Sequence, residues 1–399
     1  MKAPREGPSV APTITEIETT EFTYPLENVT TTPIGTDVLY EPGCTHERTT
    51  YAIRVHTDAG ITGEYVGGNP PAFAQVNTVA DYLVGENPLH RERHFSELKR
   101  ALRKYDRMGI GPVDIALWDF AGKYYDAPIH ELLGTYRERL PVYVSTYFGS
   151  EAGGLNHPEA YADFAADCLD RGFSAFKIHP LGGVENRDID REVEIVRAVG
   201  ERVGKEMDLM HDPVCEYETF AEALTVGRAC DEHEYFWYED PYRDGGSSQH
   251  SHRKLRQSLE TPLLLTEMVR GFEPHVDFAA SEATDFLRAD PEWDGGITGA
   301  MKIARAAEGF GLDVEYHLAG PAQRHCMAAT RNSNYYELGL LGPEFETPHA
   351  EAPVYVDGYT DAPNEVENGY VTVPDGPGLG IAYDWEYIEN NRLGGRTYE

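Results

Sequence analysis

From Leu140 onward the chain repeats one unit, a short apolar run followed by a helical segment, and this repeat constrains the fold more than any other feature. The runs read PVYVSTYF, FSAFKIH, DLMHD, YFWYED, LLLTE, DFLRAD, LDVEYH and YYELGLL. Seven of the eight are followed by a gap long enough for a helix, such as HPEAYADFAADCLDRG. This alternation predicts parallel strands with crossover helices, and hence an α/β fold of the (β/α)-barrel type. An open, doubly wound sheet is the structural alternative.

Consecutive runs close on ionisable residues. After the first such pair, the successive residues are 20 to 33 positions apart, near the length of one strand–helix unit; in order they are Lys177 and His179, Asp212, Glu239, Glu267, Asp290, His317 and Glu337. In a barrel the C-terminal ends of all strands meet at one mouth, so these side chains would face one another. An acidic residue that caps the next helix explains any single position. An unbroken series of such strand ends instead predicts a functional site.

Three of these residues predict a metal site. Asp212, Glu239 and Glu267 end adjacent strands, and three carboxylates repel one another unless a cation joins them. A set of oxygen ligands favours a hard ion such as Mg²⁺. Lys177 and His179 lie two apart on one strand and point to the same side. We expect the metal and the neighbouring cation to lower the pKa of the lysine, which suits it to proton transfer.

On the far side of the mouth, Asp290 and His317 end neighbouring strands. A carboxylate beside an imidazole orients the ring, fixes its tautomer and stabilises its charged form. Glu337 could donate or accept a hydrogen bond to a bound carboxylate. A metal with a base on each side predicts abstraction of a proton α to a carboxylate, through an enediolate whose charge the metal stabilises.

The N-terminal part of the chain reads as β structure followed by helices. YAIRVHTDAGITG alternates and turns at residues 58–60, which indicates a hairpin. Before it lies a Thr-, Pro- and Gly-rich stretch from Asn28 to Thr49, which we interpret as an irregular functional loop. The segment GPVDIALWDFAGKYY predicts a helix that stops before Pro128, with one apolar stripe made of Val113, Ala116, Leu117 and Phe120. From about Asp357 the hairpin texture returns, and this tail could pack on the N-terminal domain.

The charge of the chain excludes some partners. Asp and Glu number 68 against 34 Lys and Arg, a formal net charge of −34, which argues against binding to nucleic acid or to an anionic membrane. Only eight of the basic residues are Lys, and we interpret the acidity as a halophilic adaptation of the surface. The 5 cysteines show no metal spacing, the N-terminus lacks an apolar signal core, and no apolar stretch reaches the ~20 residues of a membrane span. We therefore expect a soluble, cytoplasmic protein.

Several longer segments carry a resemblance to a known family. They are GPVDIALWDFAGKYYDAPIHELLG, the YEDP around Glu239, LRADPEWDGGITGAMKIARAAEGFG, HLAGPAQRHCMAAT followed by YYELG, and DGPGLGIAYD. Over nearly its whole length the chain resembles the mandelate racemase group of the enolase superfamily, which includes muconate lactonizing enzyme-like and acid-sugar dehydratase-like members. In that family an Asp precedes the Gly-Gly-(Ile/Val)-Thr-Gly run by five residues, which selects Asp290 over Asp294.

The resemblance implies a modified TIM (β/α)-barrel with an α+β capping domain built from both termini. We place the cap at residues 13–137, the barrel at 138–356 and the C-terminal return at 357–399. The resemblance also implies one Mg²⁺ per chain, with Mn²⁺ possible, held by Asp212, Glu239 and Glu267. His317, oriented by Asp290, becomes an acid/base, and Glu337 contacts the substrate carboxylate.

On strand two the chain departs from the family pattern. The group usually has Lys-x-Lys, whereas this chain has Lys177-Ile178-His179. His179 therefore inherits the place of the opposing base, and Lys177 matches the lysine that polarises the carboxylate; which of the two is the base stays open. Val214 stands where some acid-sugar dehydratases carry a histidine. The family's cap loops close over the mouth, which assigns the Asn28–Thr49 stretch to substrate selection, with the candidates Thr30, Thr31, Thr32, Tyr40, His46 and Arg48.

Our interpretation is an acid-sugar dehydratase acting on a small carboxylate substrate. A strand-two base or His317 removes the α-proton of an aldonate or aldarate, and protonated His317 assists departure of the β-hydroxyl, giving a 2-keto-3-deoxy acid. The alternative is a racemase or epimerase that uses the same residues, with the opposite base returning the proton. A third possibility is a barrel that binds metal without catalysis. We expect a homo-oligomer.

Overall fold

The computed structural model describes residues 11–32, 38–179, 188–345 and 351–399, and it contains an antiparallel sheet and a curled parallel sheet. The strands are β1 (Ile14–Thr31), β2 (Val38–Thr57), β3 (Thr62–Val66), β4 (Arg139–Thr146), β5 (Ala175–Ile178), β6 (Asp208–His211), β7 (Trp237–Glu239), β8 (Leu263–Leu265), β9 (Phe286–Ala289), β10 (Asp313–Tyr316), β11 (Tyr336–Leu341), β12 (Tyr370–Thr372) and β13 (Arg392–Tyr398). The helices are α1 (Pro70–Leu83), α2 (Arg91–Ala101), α3 (Ile110–Tyr125), α4 (Ile129–Leu133), α5 (Pro158–Asp170), α6 (Ile189–Val203), α7 (Phe220–Glu232), α8 (Gln249–Arg256), α9 (Phe272–Ala280), α10 (Gly296–Phe310), α11 (Pro321–Ala328) and α12 (Trp385–Asn390). All eight strands predicted from the apolar runs are present as β4 to β11.

The parallel strands follow one another around the sheet in sequence order from β4 to β10, and β11 pairs with β4 on its other side. A doubly wound sheet would reverse its strand order partway, so this order confirms the barrel. Strands such as β5 and β9 are buried on both faces, as expected where helices cover the outside and side chains fill the inside. This burial explains why the runs are apolar without alternation.

The barrel closes between β10 and β11 through side chains, since no backbone ladder joins these two strands within the described residues. The carboxylate of Glu315 on β10 accepts hydrogen bonds from the amides of Asn334, at 3.0 Å, and Tyr335, at 3.2 Å. Nearer the mouth, the amide of Leu318 donates to Glu337 at 2.9 Å. The hydrogen bond from Leu318 fixes Glu337, a predicted site residue, to the adjacent strand.

The capping sheet has the order β13-β1-β2-β3, so the C-terminal strand pairs with the N-terminal one. This confirms that the tail packs back on the N-terminal structure. The turn at residues 58–60 between β2 and β3 is also present. We retain the domain bounds at 137/138 and 356/357 as a proposal.

The interpretation of Asn28–Thr49 as an irregular loop is wrong for the described part of that stretch. β1 continues to Thr31, β2 begins at Val38, and the two pair in antiparallel register over most of their length. The register shifts near Asn28, whose φ of 59° marks a bulge. Residues 33–37 of the stretch lie outside the described residues.

Helix α3 joins the cap to the barrel. Its predicted stripe is fully buried, and the chain leaves the helix at Asp126 in the left-handed conformation, two residues before Pro128. Asp114 on this helix accepts hydrogen bonds from the amide and hydroxyl of Thr298 at the start of α10. These contacts fix α3 of the cap against the start of α10, which follows β9. No helix in the described ranges is long and apolar enough to cross a membrane.

Candidate active site

The mouth of the barrel brings the predicted metal residues together. One ligand oxygen from each of Asp212, Glu239 and Glu267 lies within 4.8 Å of the others. The three follow or end the neighbouring strands β6, β7 and β8, and Asp212 and Glu239 are buried. Because the donor set consists of carboxylate oxygens alone, it fits a hard divalent cation such as Mg²⁺.

The backbone is strained just after the strands β6, β7, β8 and β10. Val214, Asp240, Thr266 and Leu318 all have positive φ, at 53°, 22°, 91° and 58° respectively. This conformation is uncommon for residues other than glycine and is an outlier for β-branched Val and Thr. Such strain clusters at functional sites, where the surrounding structure holds it in place.

Lys177 lies at the centre of the acidic groups, 1% exposed. Its Nζ is 3.0 Å from carboxylate oxygens of Asp212, Glu239 and Glu337. Burial lowers the pKa of Lys177, but the charges of Glu239 and Glu337 outweigh it and raise the pKa well above the usual value. The predicted lowering of this pKa was conditional on a bound metal and stays a prediction; in the protein without metal the nearest groups are three carboxylates, which act in the opposite direction.

His179 is buried beside Lys177 and is held at both ring nitrogens. Its Nδ1 lies 2.6 Å from the carbonyl oxygen of Thr146, and its Nε2 lies 3.1 Å from Asp212 Oδ2. The carbonyl can only accept, so Nδ1 carries a proton. His179 therefore contacts Asp212, one of the three predicted metal ligands, directly. This position is closer to the metal ligands than the predicted role of His179 as opposing base requires.

On the other side of the mouth, His317 and Asp290 form the predicted pair. Nδ1 of His317 lies 2.7 Å from Asp290 Oδ2, and its Nε2 lies 3.4 Å from Glu267. Burial lowers the pKa of His317, but the charge of Glu267 and the hydrogen bond and charge of Asp290 raise it to about 9. The geometry thus stabilises the charged imidazolium.

Glu337 is 2% exposed and already engaged at both oxygens. One contacts Lys177 at 3.0 Å, and the other accepts from the Leu318 amide and lies 3.4 Å from Arg288. Burial raises the pKa of Glu337, but the charges of Lys177 and Arg288 lower it below the usual value. Because the carboxylate is ionised, the geometry does not favour the predicted possibility that Glu337 donates a hydrogen bond to substrate.

Arg288 was missed by the sequence reasoning. It lies on β9, fully buried inside the barrel, with Nη2 at 2.6 Å from Glu239 and 3.1 Å from the hydroxyl of Tyr143. A signal was available, since Arg288 precedes Asp290 by two residues and strand alternation places both on the same face. Arg288 supplies the second fixed positive charge beneath the carboxylates.

Two further residues follow β9 and were also missed. The ring of Trp293 lies between His317, at 4.7 Å, and the guanidinium of Arg270, at 4.4 Å, and so limits how the imidazole can tilt. Glu292 lies in the same turn and accepts from the amide of Gly68 in the cap. No periodic pattern marks residues in a turn, so sequence alone offered no signal for either.

The structure places only some of the cap residues predicted for substrate selection near the mouth. Arg48 lines a cavity between cap and barrel that also touches Asp290. Thr31 and His46 lie on the β1–β2 ribbon and do not line that cavity. Tyr40 is buried, with its ring 4.5 Å from Tyr147 and 5.0 Å from Phe345. The structure therefore brings Arg48 towards the mouth and gives Tyr40 a packing role.

This difference is testable at Tyr40. We expect Tyr40→Ala to lower the free energy of unfolding by about 3–5 kcal/mol, because it leaves a cavity between two aromatic rings. Tyr40→Phe keeps the ring, so its stability and turnover should stay near those of the unaltered protein. Urea unfolding and steady-state kinetics measure both. A large loss of kcat/KM in a stable Tyr40→Phe protein would instead restore the substrate-binding role.

Comparison with known proteins agrees with this geometry. Residues 27–134 match the mandelate racemase/muconate lactonizing enzyme N-terminal domain, and residues 160–387 match the enolase C-terminal domain-like family. The chain is 29% identical to the D-xylonate dehydratase of Haloferax volcanii over 374 residues, covering 86% of each chain. It is 28% identical to the D-galactarolactone cycloisomerase of Agrobacterium fabrum over 86% of this chain and 90% of that protein.

A solved structure shares both the fold and part of the sequence. The D-glucarate dehydratase from Agrobacterium tumefaciens, complexed with magnesium, superposes with a TM-score of 0.80 and 28% identity, over 96% of this chain and 99% of that one. The match covers the cap as well as the barrel. On the evidence of the two domain matches, the strand order and the strand-end carboxylates, the chain belongs to the mandelate racemase group of the enolase superfamily.

Proposed function

We propose that this protein is a Mg²⁺-dependent dehydratase of acid sugars. The observation that carries the proposal is the arrangement around the carboxylate trio, with Lys177 and His179 on one side and the His317–Asp290 pair on the other. The similar D-xylonate dehydratase and D-glucarate dehydratase support dehydration over other reactions of the family. A substrate bound between the two sides would present its α-carbon to basic groups on both faces.

Asp212, Glu239 and Glu267 are the residues that would hold the ion, with Mn²⁺ as a possible substitute. When bound, a divalent cation supplies positive charge that stabilises the negative charge developing on the substrate carboxylate. Lys177 adds a fixed positive charge beside the carboxylates of Asp212 and Glu239. The neutralisation of this acidic site is what allows an anionic substrate to enter a protein with a formal net charge of −34.

The proposed reaction moves one proton from carbon and releases one water. His179, the strand-two group that is not held as a fixed positive charge, takes the proton from the carbon next to the carboxylate, which leaves the substrate as an enediolate. His317 then gives its Nε2 proton to the β-hydroxyl, and the carbon–oxygen bond breaks with loss of water. The resulting enol takes up a proton at the carbon that lost the hydroxyl and releases the proton of its enol hydroxyl, and so becomes a 2-keto-3-deoxy acid. Asp290 favours this acid role because it stabilises the charged imidazole.

Groups on both faces would also suit a racemase or epimerase, in which the opposite base returns the proton. The two reactions separate when a panel of aldonates and aldarates is incubated with Mg²⁺ in deuterated water and high salt. Dehydration predicts release of a 2-keto-3-deoxy acid, loss of activity on chelation and recovery on adding Mg²⁺. Deuterium in recovered substrate without keto acid would favour epimerisation, and no turnover with no exchange would favour a non-catalytic barrel.

A further inference from the structure

A cavity of about 170 Å³ lies at the junction between cap and barrel and reaches Asp290, just after the end of β9. It is bounded by Asp290 and Leu318, which flank the catalytic candidate His317, whereas neither Lys177 nor any of the three predicted metal residues lines it. A substrate whose carboxylate lies at the trio would therefore direct the end remote from that carboxylate, its distal end, into this cavity. The chemistry of the walls then determines which distal group is accepted.

Two charged groups of the cavity wall, Arg48 and Glu292, have opposite charge. Arg48, on β2 of the cap, forms no ion pair with the described residues, and it is the only Lys or Arg among the described lining residues. Glu292 enters from the barrel side, where the hydroxyl of Tyr65 and the amide of Gly68, at 3.0 Å, donate to its Oε1. These two donors hold the carboxylate in a fixed position beside the cavity.

The remaining acidic residues of the cavity wall leave no excess of positive charge there. Asp361 lines the cavity and is paired at 2.6 Å with Arg324, which does not itself line the cavity. Glu351 lines the cavity and accepts from the amide of Asp361 at 2.7 Å. Asp290 is paired with His317. Arg48 therefore faces the carboxylates of Glu292 and Glu351, and no surplus positive charge is available for a second carboxylate of a ligand.

We propose that this cavity binds the uncharged, hydroxylated distal end of a monocarboxylic acid sugar, with Glu292 accepting a hydrogen bond from a distal hydroxyl. The inference rests on the proposed function and narrows its substrate class to aldonates. An ionised carboxylate only accepts hydrogen bonds, so it pairs with a hydroxyl and repels a second carboxylate. A site built to bind a hydroxyl discriminates strongly against an analogue that lacks it.

The test compares a six-carbon aldonate with the aldarate of the same configuration. Assays are run near about pH 8, because burial and the charge of Asp290 raise the pKa of Glu292 and the group must be ionised. We expect kcat/KM for the aldonate to exceed that for the aldarate by at least about 100-fold. Glu292→Gln should reduce this ratio at least about tenfold, since the amide keeps an acceptor for Tyr65 and gains a donor that a carboxylate can use.

Glu194→Gln is the matched control, because it removes the same charge from an exposed position of α6 and should leave the ratio unchanged. Equal or better turnover of the aldarate by the unaltered protein would overturn the inference and leave the proposed function intact. If neither acid is dehydrated, the proposed function fails. Calorimetric binding of both acids to the Mg²⁺-loaded protein then still decides the inference, since weaker or equal binding of the aldonate, or no binding of either, overturns it.

Discussion

His317→Asn should reduce kcat by at least about 10³-fold while Mg²⁺ still binds. The substitution removes the group whose Nδ1 lies 2.7 Å from Asp290 and whose Nε2 faces the carboxylate trio, so proton transfer on that side is lost. The three carboxylates of the proposed metal site stay in place, because His317 supplies none of them. Steady-state kinetics on an acid sugar measures the first effect and calorimetric titration with Mg²⁺ measures the second.

The matched control is His250→Asn, which makes the same chemical change at an exposed position of α8. It should leave kcat unchanged within error. Undiminished dehydration by His317→Asn would refute the acid/base assignment, whereas loss of Mg²⁺ binding along with turnover would show that His317 supports the metal site. Deuterium exchange into substrate separates the two proton transfers. If a strand-two group removes the α-proton, exchange should persist in the variant after dehydration has stopped.

The barrel could be predicted from sequence because each buried strand carries a local signature. Strands covered on both faces need uninterrupted apolar residues, and the polar residue after each run marks where the strand reaches the mouth. The β1–β2 ribbon carries no such signature. Its Thr-, Pro- and Gly-rich sequence gives a weak local preference, and pairing with a partner strand decides the structure instead. The extent of that hairpin was therefore missed.

The site, too, has features that spacing along the sequence predicts and features that depend on tertiary contacts. Spacing was sufficient to bring Asp212, Glu239 and Glu267 together, because strand order alone places their ends side by side. It was not sufficient for the charge state of Lys177, which depends on which neighbours lie within a few ångströms. Three carboxylates at 3.0 Å raise its pKa, and no sequence pattern shows those distances. Which cap residues face the cavity likewise depends on the register of the hairpin.

Arg288→Met should destabilise the metal-free protein by about 3–5 kcal/mol, as expected when one partner of a buried ion pair is removed. The guanidinium is fully buried and lies 2.6 Å from Glu239 and 3.4 Å from Glu337, so its loss leaves these two carboxylates to share the charge of Lys177. Urea unfolding in the presence of a chelator measures this loss. Saturating Mg²⁺ should recover part of it, because an ion at the trio supplies positive charge to the same carboxylate of Glu239.

Arg197→Met provides the comparison, since Arg197 also lies 2.6 Å from a glutamate, Glu232, but both side chains are nearly half exposed. An exposed pair contributes about 0–1 kcal/mol, and Mg²⁺ should not alter the effect of losing it. The difference between the two variants isolates burial, because both substitutions remove the same side chain from the same type of pair. If Arg288→Met costs no more than Arg197→Met, the carboxylates inside the barrel do not depend on Arg288. If the loss is large but Mg²⁺ recovers none of it, Arg288 balances charge that the metal ligands do not share.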